Sequence, residues 1–100
     1  MELFVRQSGK GVPLLMIHGI MSDHSFFEES AKILSDTYHV ITYDRRGYGR
    51  SSDSCYTDFS VTAQAEDALE VLKNAAGTPA WIFGNSAGGL IAIELARRDP

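Results

Sequence analysis

A glycine–serine–glycine segment near the end of the chain places the strongest constraint on its fold. An apolar run, Trp81-Ile82-Phe83, precedes Gly84-Asn85-Ser86-Ala87-Gly88, and a helix-forming stretch from Leu90 to Arg98 follows it. A serine on such a sharp strand-to-helix turn has its hydroxyl pushed clear of the backbone. The turn crowds the residues two before and two after the serine, where glycine fits because it has no Cβ. The segment predicts a nucleophile at Ser86; a glycine-rich turn that only packs tightly is the alternative.

Strand-like and helix-like segments alternate along the chain, which indicates the fold class. Apolar or alternating residues predict four strands, at Glu2–Gln7, Pro13–Ile17, His39–Tyr43 and Ala80–Gly84. Amphipathic stretches predict three helices, at Phe26–Ser35, Val61–Ala76 and about Ser86–Arg98. Because alternating strands and helices need crossover connections, we predict an α/β fold, a mostly parallel sheet flanked by helices.

Three of the predicted strands end in polar or glycine-rich residues. These ends are His18-Gly19, Asp44-Arg45 and Gly84-Asn85-Ser86. If the strands are parallel, all three ends lie on one rim of the sheet, where α/β proteins bind ligands. The topology therefore predicts a site at this rim, independently of any motif.

Composition and charge limit the classes of partner. A formal net charge of −4 disfavours nucleic acid and anionic membranes. No apolar run approaches the length of a membrane span, and the first residues do not resemble a signal peptide. The single cysteine, Cys55, excludes an internal disulfide and fits a reducing compartment, so we expect a cytoplasmic protein. The three histidines lack metal-ligand spacing, and we expect neither a metal nor a cofactor.

The chain resembles the α/β-hydrolase fold family in three motifs. These are "LLMIHGI", "VITYDRRGYGRSS" and "WIFGNSAGG", in the family's order, and the resemblance runs from Phe4 to Pro100. It implies that residues 1–100 form a partial α/β-hydrolase domain, the N-terminal part of the fold. Serine at position 86, in place of aspartate, points away from epoxide hydrolases and haloalkane dehalogenases. It points toward esterases, thioesterases, lipases, carbon–carbon bond hydrolases and perhydrolases.

The resemblance implies a role for each candidate site residue. Ser86 would attack an acyl carbonyl of a small-molecule substrate and form an acyl-enzyme. The backbone N–H groups of Ala87 and Ile20 would form the oxyanion hole, with Met21 as the next candidate donor. Met21, His24 and Phe26 are candidates for the substrate pocket, although core packing is the commoner role for a phenylalanine at helical spacing.

The sequence departs from the family in its general base. The family's order is nucleophile, acid, histidine, but no histidine follows Ser86, and Asp99 lies at the far end of the last helix. The resemblance gives His18 a supporting role beside the oxyanion loop. A triad in the order histidine, Asp44, Ser86 is the alternative that other serine hydrolases use.

Two functions remain open from the sequence. Either the chain is the N-terminal part of a serine hydrolase, or it is an inactive stub or binding module. The strand Ala80–Phe83 would form an exposed apolar edge if no further strand paired with it, and self-association through this edge is then expected.

Overall fold

The computed structural model describes residues 3–19, 23–51, 58–77 and 79–98. The strands are β1 (Val5–Ser8), β2 (Val12–Ile17), β3 (Tyr38–Tyr43) and β4 (Trp81–Gly84). The α-helices are α1 (Glu28–Leu34), α2 (Val61–Ala75) and α3 (Ala87–Arg98), and short 3₁₀ helices span His24–Phe27 and Gly49–Ser51. Every predicted strand and helix is present, with its ends shifted by a few residues.

The helix predicted from Phe26 begins differently from the expectation. Its first turn is the 3₁₀ helix His24–Phe27, and α1 proper starts at Glu28. The Asp23 carboxylate accepts a hydrogen bond from the Ser25 backbone N–H at 2.9 Å, which caps the 3₁₀ turn. His24 therefore belongs to a 3₁₀ turn at the entry of the helix.

The four strands form one mixed sheet in the order β1-β3-β2-β4. β2 pairs in parallel with both β3 and β4, and β1 pairs antiparallel with β3. Leu15 lies opposite Ile41 on one side and Ile82 on the other. The predicted α/β fold with a mostly parallel sheet is confirmed.

Helices cover both faces of β2 and β3, which explains why these strands are continuous apolar runs. On one face, α2 and α3 pack over a core that contains Leu15 and Ile41, both 0% exposed. On the other, α1 packs through Phe27 over Met16 and Val40. The predicted amphipathic helix α2 faces this core with four residues: Ala65, Ala68, Leu69 and Leu72.

An ion pair ties the loop after β3 to α2. Arg46 donates to both carboxylate oxygens of Asp67, from Nε at 2.6 Å and from Nη2 at 2.8 Å. Both side chains are buried, 9% and 3% exposed. A buried, bidentate pair of this kind fixes the loop's course, since separating the charges leaves one of them unpaired in the interior.

β4 is an edge of the described sheet, and its side chains are largely exposed. Trp81 is 67% and Phe83 48% exposed, and Leu90 and Ile93 on α3 are exposed to a similar degree. The self-association that we expect from such an edge remains a prediction. Within the described ranges, no helix is both long enough and apolar enough to cross a membrane.

Candidate active site

Ser86 occupies a strained turn between β4 and α3. Its φ is 56°, in the left-handed region that residues other than glycine rarely adopt, and the residue is exposed. A Cβ added to Gly84 would lie 2.2 Å from the Gly88 carbonyl oxygen, and one added to Gly88 would lie 2.2 Å from that of Ile17. The predicted crowding two residues before and two after the serine is confirmed.

The three polar strand ends meet at one rim, as the topology predicted. The Asn85 N–H donates to the Ile17 carbonyl oxygen at 3.0 Å, which joins the end of β4 to that of β2. The Arg45 N–H donates to His18 Nε2 at 2.9 Å, which joins the end of β3 to that of β2. Ser86 therefore stands at the β4 end of a rim that β2 and β3 complete.

His18 is fully buried at this rim, and both of its ring nitrogens are bonded. Because Nε2 accepts from the Arg45 N–H, Nδ1 must carry the proton, and it donates to the Gly19 carbonyl oxygen at 2.8 Å. Burial lowers the pKa of His18, and the nearby Arg45 charge lowers it further, against an opposing effect of the bond to Gly19. A neutral imidazole with both nitrogens occupied cannot accept the Ser86 proton, which agrees with the supporting role predicted for it.

His24 and Asp44 form a pair that the sequence did not indicate. Asp44 Oδ1 lies 2.7 Å from His24 Nδ1 and also accepts from the His24 backbone N–H at 2.7 Å. The His24 ring stacks against Phe4, with 4.7 Å between ring centroids, next to β1 and so away from β4. The two residues are far apart in sequence, and only the folding of the 3₁₀ turn brings them together.

This pair makes no hydrogen bond to Ser86 within the described residues. Asp44 follows β3, and β2 lies between β3 and β4, so two strand spacings, or about 9.6 Å, separate these strands. The alternative triad of histidine, Asp44 and Ser86 is therefore not joined by hydrogen bonds in the described part of the chain.

One group among the described residues could hold a metal ion. Asp23, His24 and Asp44 each present a ligand-type atom, all within 4.8 Å of one another. Asp23 Oδ1 accepts from Ser25, and Asp44 Oδ1 accepts from His24. Hydrogen bonds within the protein account for the cluster.

The remaining candidate residues fall in three places. Ile20 and Met21 lie outside the described residues. Ala87 is the first residue of α3, and no acceptor in the described part of the chain meets its N–H. Phe26, 57% exposed, lines a groove of about 490 Å³ that extends to Asn85, next to Ser86.

His24 lines a different space, a cavity of about 210 Å³ between α1 and the β3 face. The two pocket candidates whose positions are described therefore do not share one pocket. Phe26 lines the groove that reaches Asn85, and His24 lines the cavity that reaches β1.

Comparison with known proteins settles the family. The chain matches the family model described as the alpha/beta hydrolase fold over residues 12–100. It belongs to the α/β-hydrolase fold family. An uncharacterized hydrolase of Bacillus subtilis, YraK, is 36% identical over 93 residues, which cover 92% of this chain and 34% of that protein.

Solved α/β-hydrolase structures superpose closely on the chain. An esterase from a marine microorganism is 33% identical with a TM-score of 0.92, covering 99% of this chain and 38% of that one. Est816, an N-acyl homoserine lactone degrading enzyme, is 32% identical with a TM-score of 0.91, covering 98% and 38%. The chain thus spans about a third of the length of the curated relatives it matches.

Proposed function

We propose that this protein is a serine hydrolase that cleaves an ester, thioester or related acyl bond of a small molecule, with residues 1–100 forming its N-terminal part. The observation that carries the proposal is the geometry of Ser86. Its left-handed φ of 56° projects an exposed side chain from the rim, directly before α3. A strained backbone conformation that surrounding contacts enforce is typical of functional sites.

The oxyanion would form beside the first turn of α3. Unpaired N–H groups and the helix dipole favour negative charge there, and the Ala87 N–H is free among the described residues. The backbone N–H of Ile20, the residue after Gly19, would supply the second donor. A donor of this kind contributes about 3 kcal/mol of transition-state stabilisation.

The reaction would proceed through an acyl-enzyme. Ser86 Oγ adds to the acyl carbonyl as a base takes its proton, and the tetrahedral adduct collapses when the leaving alcohol or thiol receives that proton. Water then adds to the acyl-enzyme by the same route and releases the acid and free Ser86. His18 is fully bonded, and His24 is bonded to Asp44 and not to Ser86, so the base and its acid partner would come from sequence beyond these residues.

Two of the solved structures have names that fit acyl chemistry. One is an esterase, and another degrades an N-acyl homoserine lactone. Since a lactone is a cyclic ester, both names fit attack on an acyl carbonyl. Which acyl group this protein accepts depends on a pocket that the described residues form only in part.

An inactive stub or binding module is the second candidate, because the described residues bring no base to Ser86. A fluorophosphonate probe applied to an extract of the native source separates the two. Labelling of the Ser86 peptide, in a protein well above the mass of residues 1–100, supports the hydrolase. An unlabelled protein of the mass of residues 1–100 would refute it and leave the stub. Ser86→Ala is the control and must abolish labelling.

A further inference from the structure

Arg45 is buried at the rim, and its guanidinium faces the end of β2. The residue is only 3% exposed. Nε donates to the His18 carbonyl oxygen and Nη2 to that of Gly19, each at 3.0 Å. Nη1 donates to Gln64 Oε1 at 2.5 Å, and Cζ lies 4.4 Å from the centroid of the Tyr48 ring. The guanidinium therefore holds two successive backbone carbonyls and is itself fixed by its neighbours.

The backbone that Arg45 holds is in contact with the nucleophile's turn. A Cβ added to Gly19 would lie 3.0 Å from the Asn85 carbonyl oxygen and 3.2 Å from Ser86 Cβ. Gly19 is thus placed between the guanidinium and the turn that carries Ser86. Any shift of the Gly19 peptide would change the backbone atoms that face Ser86.

We propose that Arg45 is a positioning residue of the candidate active site, which fixes the Gly19 carbonyl and so holds the backbone of residues 18 and 19 against the turn that carries Ser86. The Gly19 carbonyl oxygen also accepts from His18 Nδ1, so Arg45 completes a pair of donors on this oxygen. A hydrogen bond from a charged donor is stronger than one between neutral groups, so loss of the guanidinium should loosen the Gly19 peptide. This inference rests on the proposed function, since it assigns a part in that reaction.

The neighbouring arginine shows what a purely structural role looks like. Arg46 is neutralised by the Asp67 carboxylate, away from the rim. Arg45 bonds only uncharged acceptors, and no carboxylate within the described segments forms an ion pair with it. Because no ion pair neutralises the Arg45 charge, it can act on the Gly19 carbonyl.

Fluorophosphonate labelling of Ser86 provides the kinetic test, in the protein expressed from its unmodified gene. We expect Arg45→Met to lower the maximal labelling rate about 10²-fold, as expected for a displaced catalytic group, while the probe's half-saturating concentration changes little. Arg45→Lys should recover part of the rate, since an ammonium can hold one carbonyl but not both. Arg46→Met is the matched control and should retain the rate per folded molecule. Equal rates in Arg45→Met and Arg46→Met would overturn the proposal.

A second measurement separates this proposal from the proposed function. In isotope-labelled residues 1–100, the ¹³C shift of the Gly19 carbonyl reports its hydrogen bonds without any need for turnover. We expect Arg45→Met to move this resonance and Arg46→Met to leave it unchanged. If the fluorophosphonate does not label Ser86 of the wild-type protein, the proposed function is refuted, but the positioning role is not. An unmoved Gly19 resonance in Arg45→Met would refute the positioning role, whatever the labelling result.

Discussion

Adding one methyl group at Gly88 or at Gly89 should change stability in opposite directions. A Cβ on Gly88 would lie 2.2 Å from the Ile17 carbonyl oxygen and 2.8 Å from that of His18, both backbone atoms of the β2 end. A Cβ on Gly89 meets nothing closer than the Gly84 carbonyl oxygen, at 3.5 Å, an ordinary van der Waals distance. Both residues lie in the first turn of α3. The pair therefore isolates the contact between α3 and β2 from the effect of the methyl group itself.

The magnitudes follow from two opposing terms. In either variant, replacing a helical glycine with alanine stabilises the chain by up to about 1 kcal/mol. At Gly88 the overlap is with a central strand that cannot rotate away, so we take the upper end of the overpacking penalty, about 3 kcal/mol. Gly88→Ala should then lose about 2 kcal/mol, or roughly 10 °C in Tm, and Gly89→Ala should gain about 4 to 8 °C.

Urea unfolding, followed by far-UV circular dichroism with one shared slope for the three proteins, measures these differences. A Gly88→Ala variant as stable as the wild type would show that α3 can move away from β2 freely, and the crowded-turn reasoning would be wrong. A Gly89→Ala variant that loses as much stability as Gly88→Ala would show that the first turn of α3 rejects any side chain.

Four further outcomes are expected from single substitutions or pH. Asp67→Ala should lose about 3 to 5 kcal/mol of unfolding free energy by leaving the Arg46 charge buried and unpaired, as urea titration can show. Tyr43→Phe should be neutral or should stabilise the chain by up to about 3 kcal/mol in the same assay, because the buried Tyr43 hydroxyl has no partner among the described residues. Burial lowers the pKa of His18 below 6.5, so the neutral His18 ring contributes fully to the unfolding free energy above that pH, and this contribution is lost as the pH falls further. Between pH 7 and pH 5, the unfolding free energy should therefore fall less steeply in His18→Asn than in the wild type. Phe83→Lys on the β4 edge should shift the chain from oligomer to monomer in light scattering, and a monomeric wild type would contradict this.

The parts of the fold that depend on local pattern were predictable, and those that depend on loop folding were not. β2 and β3 are continuous apolar runs because both faces are covered, and α2 shows its buried stripe in the sequence. The antiparallel direction of β1 could not be predicted, since alternation indicates a half-buried strand without indicating its direction. The position of the rim was predictable, because parallel strands end together at one edge of the sheet.

The contacts within the rim needed the tertiary structure. Asp44 Oδ1 accepts from His24, which a 3₁₀ turn brings to it from a distant part of the sequence. The orientation of Arg45 likewise depends on where α2 presents Gln64. The sequence did contain one signal of these contacts: charged residues directly follow a buried strand. Residues in such a position lie beside the ends of the neighbouring strands and contact them.

The geometry of the turn at Ser86 depends on the backbone of residues 17–19 and 84–88. A left-handed φ at a residue other than glycine costs about 1 to 2 kcal/mol, so surrounding contacts must hold Ser86 there. Those contacts are the close approach of Gly84 to Gly88, the close approach of Gly88 to Ile17, and the Asn85 hydrogen bond to the Ile17 carbonyl. All of them join β2, β4 and α3, which pair or pack within the described structure. The turn at Ser86 is therefore held by the pairing of β4 with β2 and by the packing of α3, and under the proposed function a base would meet a serine that these contacts already hold in position.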